Sequence, residues 1–156
     1  MWTAGTQALG VGDHATAVDR LTAAVRYLPE NGPLRVLLAR TLAARGQTEA
    51  ALSEFDAALG LQFDFTTVFF RLEMLEEIRG PSGVLREWEA LAQTFPLLVS
   101  PNYHIGRIRW QGGDLDGAAA AFGRILATRQ DTILAAMFQH EARAMLKRID
   151  ETRQLK

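Results

Sequence analysis

GDHATAVDRLTAAVRYLP, residues 12–29, is followed 34 residues later by a similar stretch, GQTEAALSEFDAALGLQF, which begins at Gly46. In the first stretch Ala17, Leu21 and Ala24 are separated by four and then three residues. This spacing places the three side chains on one face of an α-helix. The second stretch has small and large residues at the same spacing, so both predict the same amphipathic helix.

The pattern occurs four times along the chain. Its first position is small or apolar, and the four copies, separated by 34, 33 and 34 residues, are Ala17, Ala51, Val84 and Ala118. A large residue stands four positions further on in each copy: Leu21, Phe55, Trp88 and Phe122. A period near 34 residues indicates an array of stacked units, each burying its apolar face against the next.

A second helical segment precedes each copy. In the second unit it is PLRVLLARTLAAR, residues 33–45, which begins with Pro33 at a position suited to the first turn of a helix. Gly46 then ends the helix, and we expect it to adopt a left-handed cap conformation. Each unit is therefore predicted to be a helix hairpin. The small residues expected to let paired helices approach closely are Gly5, Ala17, Ala39, Ala51, Gly106 and Ala118.

These units resemble the tetratricopeptide repeat family, whose pattern has Leu-Gly in the first helix, Ala-x3-Phe in the second and a terminal proline. The matching positions are Ala4-Gly5, Ala17-x3-Leu21 and Pro29 in unit one, Leu38-Ala39 and Ala51-x3-Phe55 in unit two, and Ile105-Gly106 and Ala118-x3-Phe122 in unit four. The third unit is one residue shorter and has Glu73, or Leu72 in another register, at the close contact. The resemblance implies an all-α fold, a right-handed superhelical solenoid of helix-turn-helix repeats with a C-terminal capping helix.

The predicted array covers residues 1–130, with units of about 1–31, 32–65, 66–98 and 99–130, and residues 131–156 form the capping helix and a polar tail. Asp131 or Thr132 is the expected N-cap of this last helix. Its predicted apolar face is Leu134, Phe138, Ala142, Met145 and Ile149.

Composition argues against several function classes. Seventeen Lys and Arg balance 18 Asp and Glu without a basic cluster, so we expect no nucleic-acid partner. The absence of cysteine excludes disulfides, thiolate zinc sites and cysteine nucleophiles. His14, His104 and His140 fall in different units without metal-ligand spacing. Because no convergent nucleophile or phosphate loop is recognisable either, we predict a non-enzymatic chain without metal or cofactor.

Targeting signals are also missing from the sequence. No run of 18 apolar residues exists, and the first ten residues lack a basic segment followed by an apolar one. We therefore expect no membrane insertion and no signal peptide. The predicted location is the cytoplasm, while the periplasm stays open should the chain be a fragment.

The resemblance also implies a ligand surface, because the first helices of such units line a concave groove. The predicted groove residues are Trp2, Val36, Arg40, Phe70, Met74, Tyr103, Arg107 and Trp110. This set predicts binding of a protein or peptide by aromatic anchors, with Arg40 and Arg107 contacting a carboxylate. The alternative is that the aromatic residues pack on adjacent helices or on the chain's own C-terminal helix.

Two interpretations of function follow from these patterns. The first is a protein-interaction scaffold or adaptor that binds a peptide or protein segment in the groove. The second is a self-associating assembly module, which forms homo-oligomers or belongs to a longer solenoid. The second interpretation depends on the short first helix of unit one, at the N-terminal end, or on FDFTTVFF, residues 63–70. Phe63 and Phe65 of this stretch either fill the short third unit or form an exposed apolar patch.

Overall fold

The structure is a computed structural model that describes residues 14–129 and 132–155. The described residues contain eight α-helices, a short 3₁₀-helix at Pro81–Val84 and no strand. The helices are α1 (His14–Tyr27), α2 (Gly32–Ala44), α3 (Thr48–Leu61), α4 (Phe65–Arg79), α5 (Leu85–Thr94), α6 (Val99–Gln111), α7 (Leu115–Ala127) and α8 (Ile133–Gln154). They form two compact halves, with the boundary between Ile78 and Arg79.

In the N-terminal half, α1 to α4 share one apolar core. Leu21 from α1, Leu38 from α2 and Phe55 from α3 are each at most 2% exposed, and the three belong to one packed cluster. Ala39 and Ala51 are fully buried, as expected for residues at a close helix contact. Small residues beside large ones let α2 and α3 pack as a hairpin, with the large side chains filling the remaining space.

The ends of α2 have the local structure that the sequence predicts. Asn31 caps the N-terminus, since its side chain accepts a hydrogen bond of 2.9 Å from the Leu34 backbone N–H, and Pro33 lies in the first turn. At the other end Gly46 has a φ of +71°. The left-handed conformation lets the chain reverse directly into α3, and the predicted glycine cap is confirmed.

In the C-terminal half, α6 and α7 form the equivalent hairpin. Trp88 and Phe122, the large residues of units three and four, are both 0% exposed. Gly106 is buried on α6 directly against the Phe122 ring, so a Cβ at this position would come within 2.8 Å of that ring. The close contact predicted at Gly106 is therefore present.

The last helix, α8, covers the α6–α7 hairpin. Thr132 is its N-cap and accepts a hydrogen bond of 3.1 Å from the Ala135 N–H, while Asp131 lies outside the described residues. The predicted apolar face is wrong at its first member: Leu134 is 56% exposed, whereas Ala135 is 1% exposed. The small Ala135 faces the neighbouring helix, which turns Leu134 outward. The helix continues to Gln154, well into the predicted polar tail.

Candidate peptide-binding surface

Three of the groove residues predicted on α2 and α4 form a surface patch in the N-terminal half. We call this patch the α2–α4 surface and define it by Val36, Arg40 and Phe70. The Arg40 guanidinium carbon lies 4.7 Å from the centre of the Phe70 ring, a cation–π contact. Phe70 in turn stacks on the buried Phe55, with ring centres 6.5 Å apart. Arg40 itself is exposed and forms no ion pair with a carboxylate of the described residues. A fixed aromatic ring thus holds an accessible cation.

A cavity of about 410 Å³ opens beside this patch, next to Val36. Asp64 and Thr67, at the start of α4, line the opposite side. The Asp64 Oδ2 accepts hydrogen bonds of 2.7 Å from both the backbone N–H and the hydroxyl of Thr67, an N-cap arrangement. These hydrogen bonds, that of the hydroxyl most strongly, lower the pKa of Asp64.

Asp64 and Thr67 were missed among the predicted groove residues. The signal was available, because an aspartate three residues before a threonine at the start of an amphipathic segment is an N-cap pattern. The aromatic residues of FDFTTVFF mask this pattern, because they favour an interpretation of the whole stretch as packing. The cap matters for the site because it fixes where α4 begins and so where Phe70 lies.

One further groove residue predicted on α4 does not lie on the α2–α4 surface. Met74 is only 6% exposed and belongs to the core cluster of the N-terminal half. Trp2 lies outside the described residues. Of the groove residues predicted on α2 and α4, those that reach this surface are therefore Val36, Arg40 and Phe70.

In the C-terminal half, the predicted groove face of α6 packs on α8. The Tyr103 ring lies 5.2 Å from the ring of Phe138, and the Arg148 guanidinium carbon lies 4.8 Å above Trp110. Tyr103, Trp110 and the third predicted residue of this helix, Arg107, are all half-buried. The alternative interpretation of the aromatic stripe, packing against the chain's own C-terminal helix, describes the contacts of Tyr103 and Trp110.

A second exposed region of the N-terminal half lies where α1 and α3 end. Four large apolar residues there are 77, 55, 41 and 52% exposed: Tyr27, Leu28, Leu61 and Phe63. Tyr27, Leu28 and Leu61 line a shallow cavity of about 610 Å³. Phe63 also contacts Phe65 edge to face at 5.0 Å. We call these four residues the apolar end patch.

Three features of the described residues concern other functional classes. Across 14–129 and 132–155, no group of three His, Asp or Glu side chains is placed to hold a metal ion. His104 stacks on Trp88 with ring centres 4.0 Å apart, a packing contact. Among the described helices, none combines the length and the apolar character needed to cross a membrane.

Paired helices with small residues at their contacts define the class of helical-repeat proteins. Residues 8–67 match the family model described as Tetratricopeptide repeat. No curated protein sequence matches the chain.

Several solved structures share the fold. A tetratricopeptide repeat protein from Parabacteroides merdae ATCC 43184 aligns with a TM-score of 0.71 at 21% identity, over 95% of this chain and 58% of that chain. A crystal structure of MamA protein aligns with a TM-score of 0.66 at 13% identity, over 97% and 85%. MamA from Desulfovibrio magneticus RS-1, from residue 41 to its end, gives 0.63 at 16% identity, over 97% and 92%.

Over residues 8–67 the chain is similar to the tetratricopeptide repeat family, and the predicted all-α repeat fold is confirmed. The match over residues 8–67 supports the general class of protein-interaction scaffolds.

Proposed function

We propose that the chain is a non-catalytic adaptor whose N-terminal half binds a peptide segment of a partner protein on the α2–α4 surface. The observation that carries the proposal is the exposed Arg40 held over the Phe70 ring, one helical turn beyond the cavity at Val36. An apolar side chain of the peptide enters the cavity, and a carboxylate pairs with the Arg40 guanidinium. The ring beneath Arg40 limits its rotamers, so less entropy is lost when the peptide binds.

The two contact points lie close together along the helices. Val36 lies near the start of α2 and lines the cavity, and Arg40 follows it one turn later on the same helix. A peptide whose apolar and acidic residues are near neighbours therefore fits along α2. The predicted groove residues Tyr103, Arg107 and Trp110 belong to the C-terminal half and are not part of this proposal.

The test selects peptides that bind the wild-type protein from a displayed random library, and measures their affinity for variants by fluorescence polarisation. For Arg40→Glu we expect affinity to fall about tenfold or more, because an attraction becomes a repulsion. The matched control is Arg20→Glu, an exposed arginine on α1, which should change affinity less than about twofold. Equal binding to wild type and Arg40→Glu would refute the α2–α4 surface as the binding site.

A second candidate function, self-association, is favoured by the apolar end patch. Exposed aromatic and aliphatic side chains next to one another are typical of protein interfaces. In a homo-oligomer two copies of the patch would pack together, and the mass in solution would be a multiple of 17.2 kDa. Light scattering on wild type and on Phe63→Glu separates the two functions: a dimer that dissociates in the variant supports self-association, and a monomeric wild type excludes it.

A further inference from the structure

We propose a second binding site, for an acidic peptide segment, in a cavity of the C-terminal half. The cavity has a volume of about 720 Å³ and lies between α5, α6 and α7. On α6 it is lined by Asn102, Ile105 and Arg109, which are three and four residues apart and share one face of the helix. Tyr103 and Trp110 instead contact residues of α8. The cavity is thus lined by a different face of α6 from the one that carries the predicted groove residues. A site there goes beyond the proposed function.

Asn102 is the first part of the site. The residue is only 5% exposed, and its Oδ1 accepts no hydrogen bond from any described residue. A buried amide oxygen without a donor is rare in native proteins, since its lost hydration is not replaced. Asn102 lines the cavity, and a rotation of its amide would present Oδ1 to a backbone N–H of a bound peptide, which then supplies the missing donor.

Cationic side chains are the second part of the site. Arg109 pairs with Glu89 at 2.6 Å, so these two charges, both on the cavity wall, cancel. Arg124 and Arg129 also line the cavity, are exposed, and pair with no carboxylate of the described residues. The cavity therefore presents two uncompensated guanidinium groups, which favour a ligand that carries carboxylates.

The apolar wall completes the chemistry. Ala92, Pro96 and Leu97 line the side formed by α5 and the loop after it, and Leu97 is 70% exposed. A free anion would use the arginines alone. A peptide with an apolar residue and acidic neighbours uses all three features: an N–H for Asn102, carboxylates for Arg124 and Arg129, and a side chain against Leu97.

The test uses a fluorescein-labelled pool of heptapeptides with Leu fixed at the second position and Glu at the fourth and sixth, titrated with the full chain and followed by polarisation. We expect the acidic pool to bind at least about tenfold more tightly than the same pool with Gln in place of Glu. The double variant Arg124→Glu and Arg129→Glu should lose this preference. Its matched control is Arg86→Glu and Arg143→Glu, two exposed arginines of the same half that lie outside the cavity, and it should keep the preference.

Asn102 gives an independent readout. Replacing it with leucine, of similar volume, should weaken binding of the acidic pool about tenfold while leaving the thermal midpoint unchanged or raised. In the wild-type protein, the side-chain amide signals of Asn102 should shift in ¹H–¹⁵N spectra as the pool is added. Equal binding of the acidic and Gln pools, or unshifted Asn102 signals at saturation, would overturn the proposal. Arg40→Glu should leave this binding unchanged, so the two sites fail separately.

Discussion

Replacement of Gly106 by alanine tests the close helix contact on which the repeat depends. A Cβ at this position would lie 2.8 Å from Cε1 and Cζ of Phe122, below any normal carbon–carbon contact. The Phe122 ring is 0% exposed, so it has no free space into which to move. Overpacking of a buried site typically costs about 1–3 kcal/mol, and alanine recovers roughly 1 kcal/mol of helix propensity. We therefore expect Gly106→Ala to lower the free energy of unfolding by up to about 2 kcal/mol, and by about 1–3 kcal/mol relative to the same substitution at a helical glycine without such a contact.

The matched control for this prediction is Gly123→Ala on α7. Gly123 is also helical, but a Cβ there would meet no heavy atom within 4 Å. The control should therefore gain up to about 1 kcal/mol from helix propensity alone. Urea unfolding followed by circular dichroism at 222 nm gives both values, with the slope of the transition as a check on two-state behaviour. If Gly106→Ala proves as stable as Gly123→Ala, the contact with Phe122 is not close packed and the reasoning fails.

Three further predictions concern local structure. Asp64→Ala should lower stability at pH 7 by about 1 kcal/mol through loss of the α4 cap. Because the pKa of Asp64 is lowered in the folded protein, its contribution to stability is complete above the ordinary aspartate pKa of about 4 and is lost as the pH falls from there through the lowered value. The difference in thermal midpoint between wild type and Asp64→Ala should therefore shrink below about pH 4. A constant difference would contradict the assignment. Gly46→Ala should cost about 1–2 kcal/mol in urea unfolding, since its φ of +71° is strained for alanine, and an unchanged midpoint would argue against the left-handed cap. Thr132→Ala removes the acceptor for the Ala135 N–H and should increase hydrogen exchange in the first turn of α8 without changing exchange in α1; equal exchange in both proteins would count against this cap.

The repeat could be predicted because its determinants are local and periodic. Ala17, Leu21 and Phe55 are buried because a 34-residue period brings the same face of each hairpin to the same neighbour. Leu134 could not be assigned in this way, since no second copy of α8 exists to fix its register. Helical spacing allowed either Leu134 or Ala135 as the first buried residue, and close packing of the helices, which a sequence does not display, favours the smaller one.

The candidate surface was less predictable, because a groove position in the pattern is not the same as an accessible side chain. Arg40 and Phe70 were predicted and do come together, whereas Met74, which follows Glu73 as Arg40 follows Ala39, lies in the core. The third unit is one residue shorter, and one residue of an α-helix corresponds to a rotation of about 100°, so a change of one position in the alignment moves a side chain from the groove to the core. The sequence does not show where in the third unit the missing residue falls, so it cannot tell a methionine in the core from one in the groove.

Helix α6 shows why the patterns of single helices give little information on function in this fold. Its three faces have separate roles: Gly106 allows the close approach of α7, Tyr103 and Trp110 pack with α8, and Asn102 and Arg109 line a cavity. A helix that makes contacts on every side has no single apolar stripe, so the periodicity of its sequence does not show which face is buried against which neighbour. The contacts with α7 and α8 need small or apolar residues, and helix packing accounts for them. The buried, polar Asn102 takes part in neither contact, so the proposed ligand is the best explanation for an asparagine at this position.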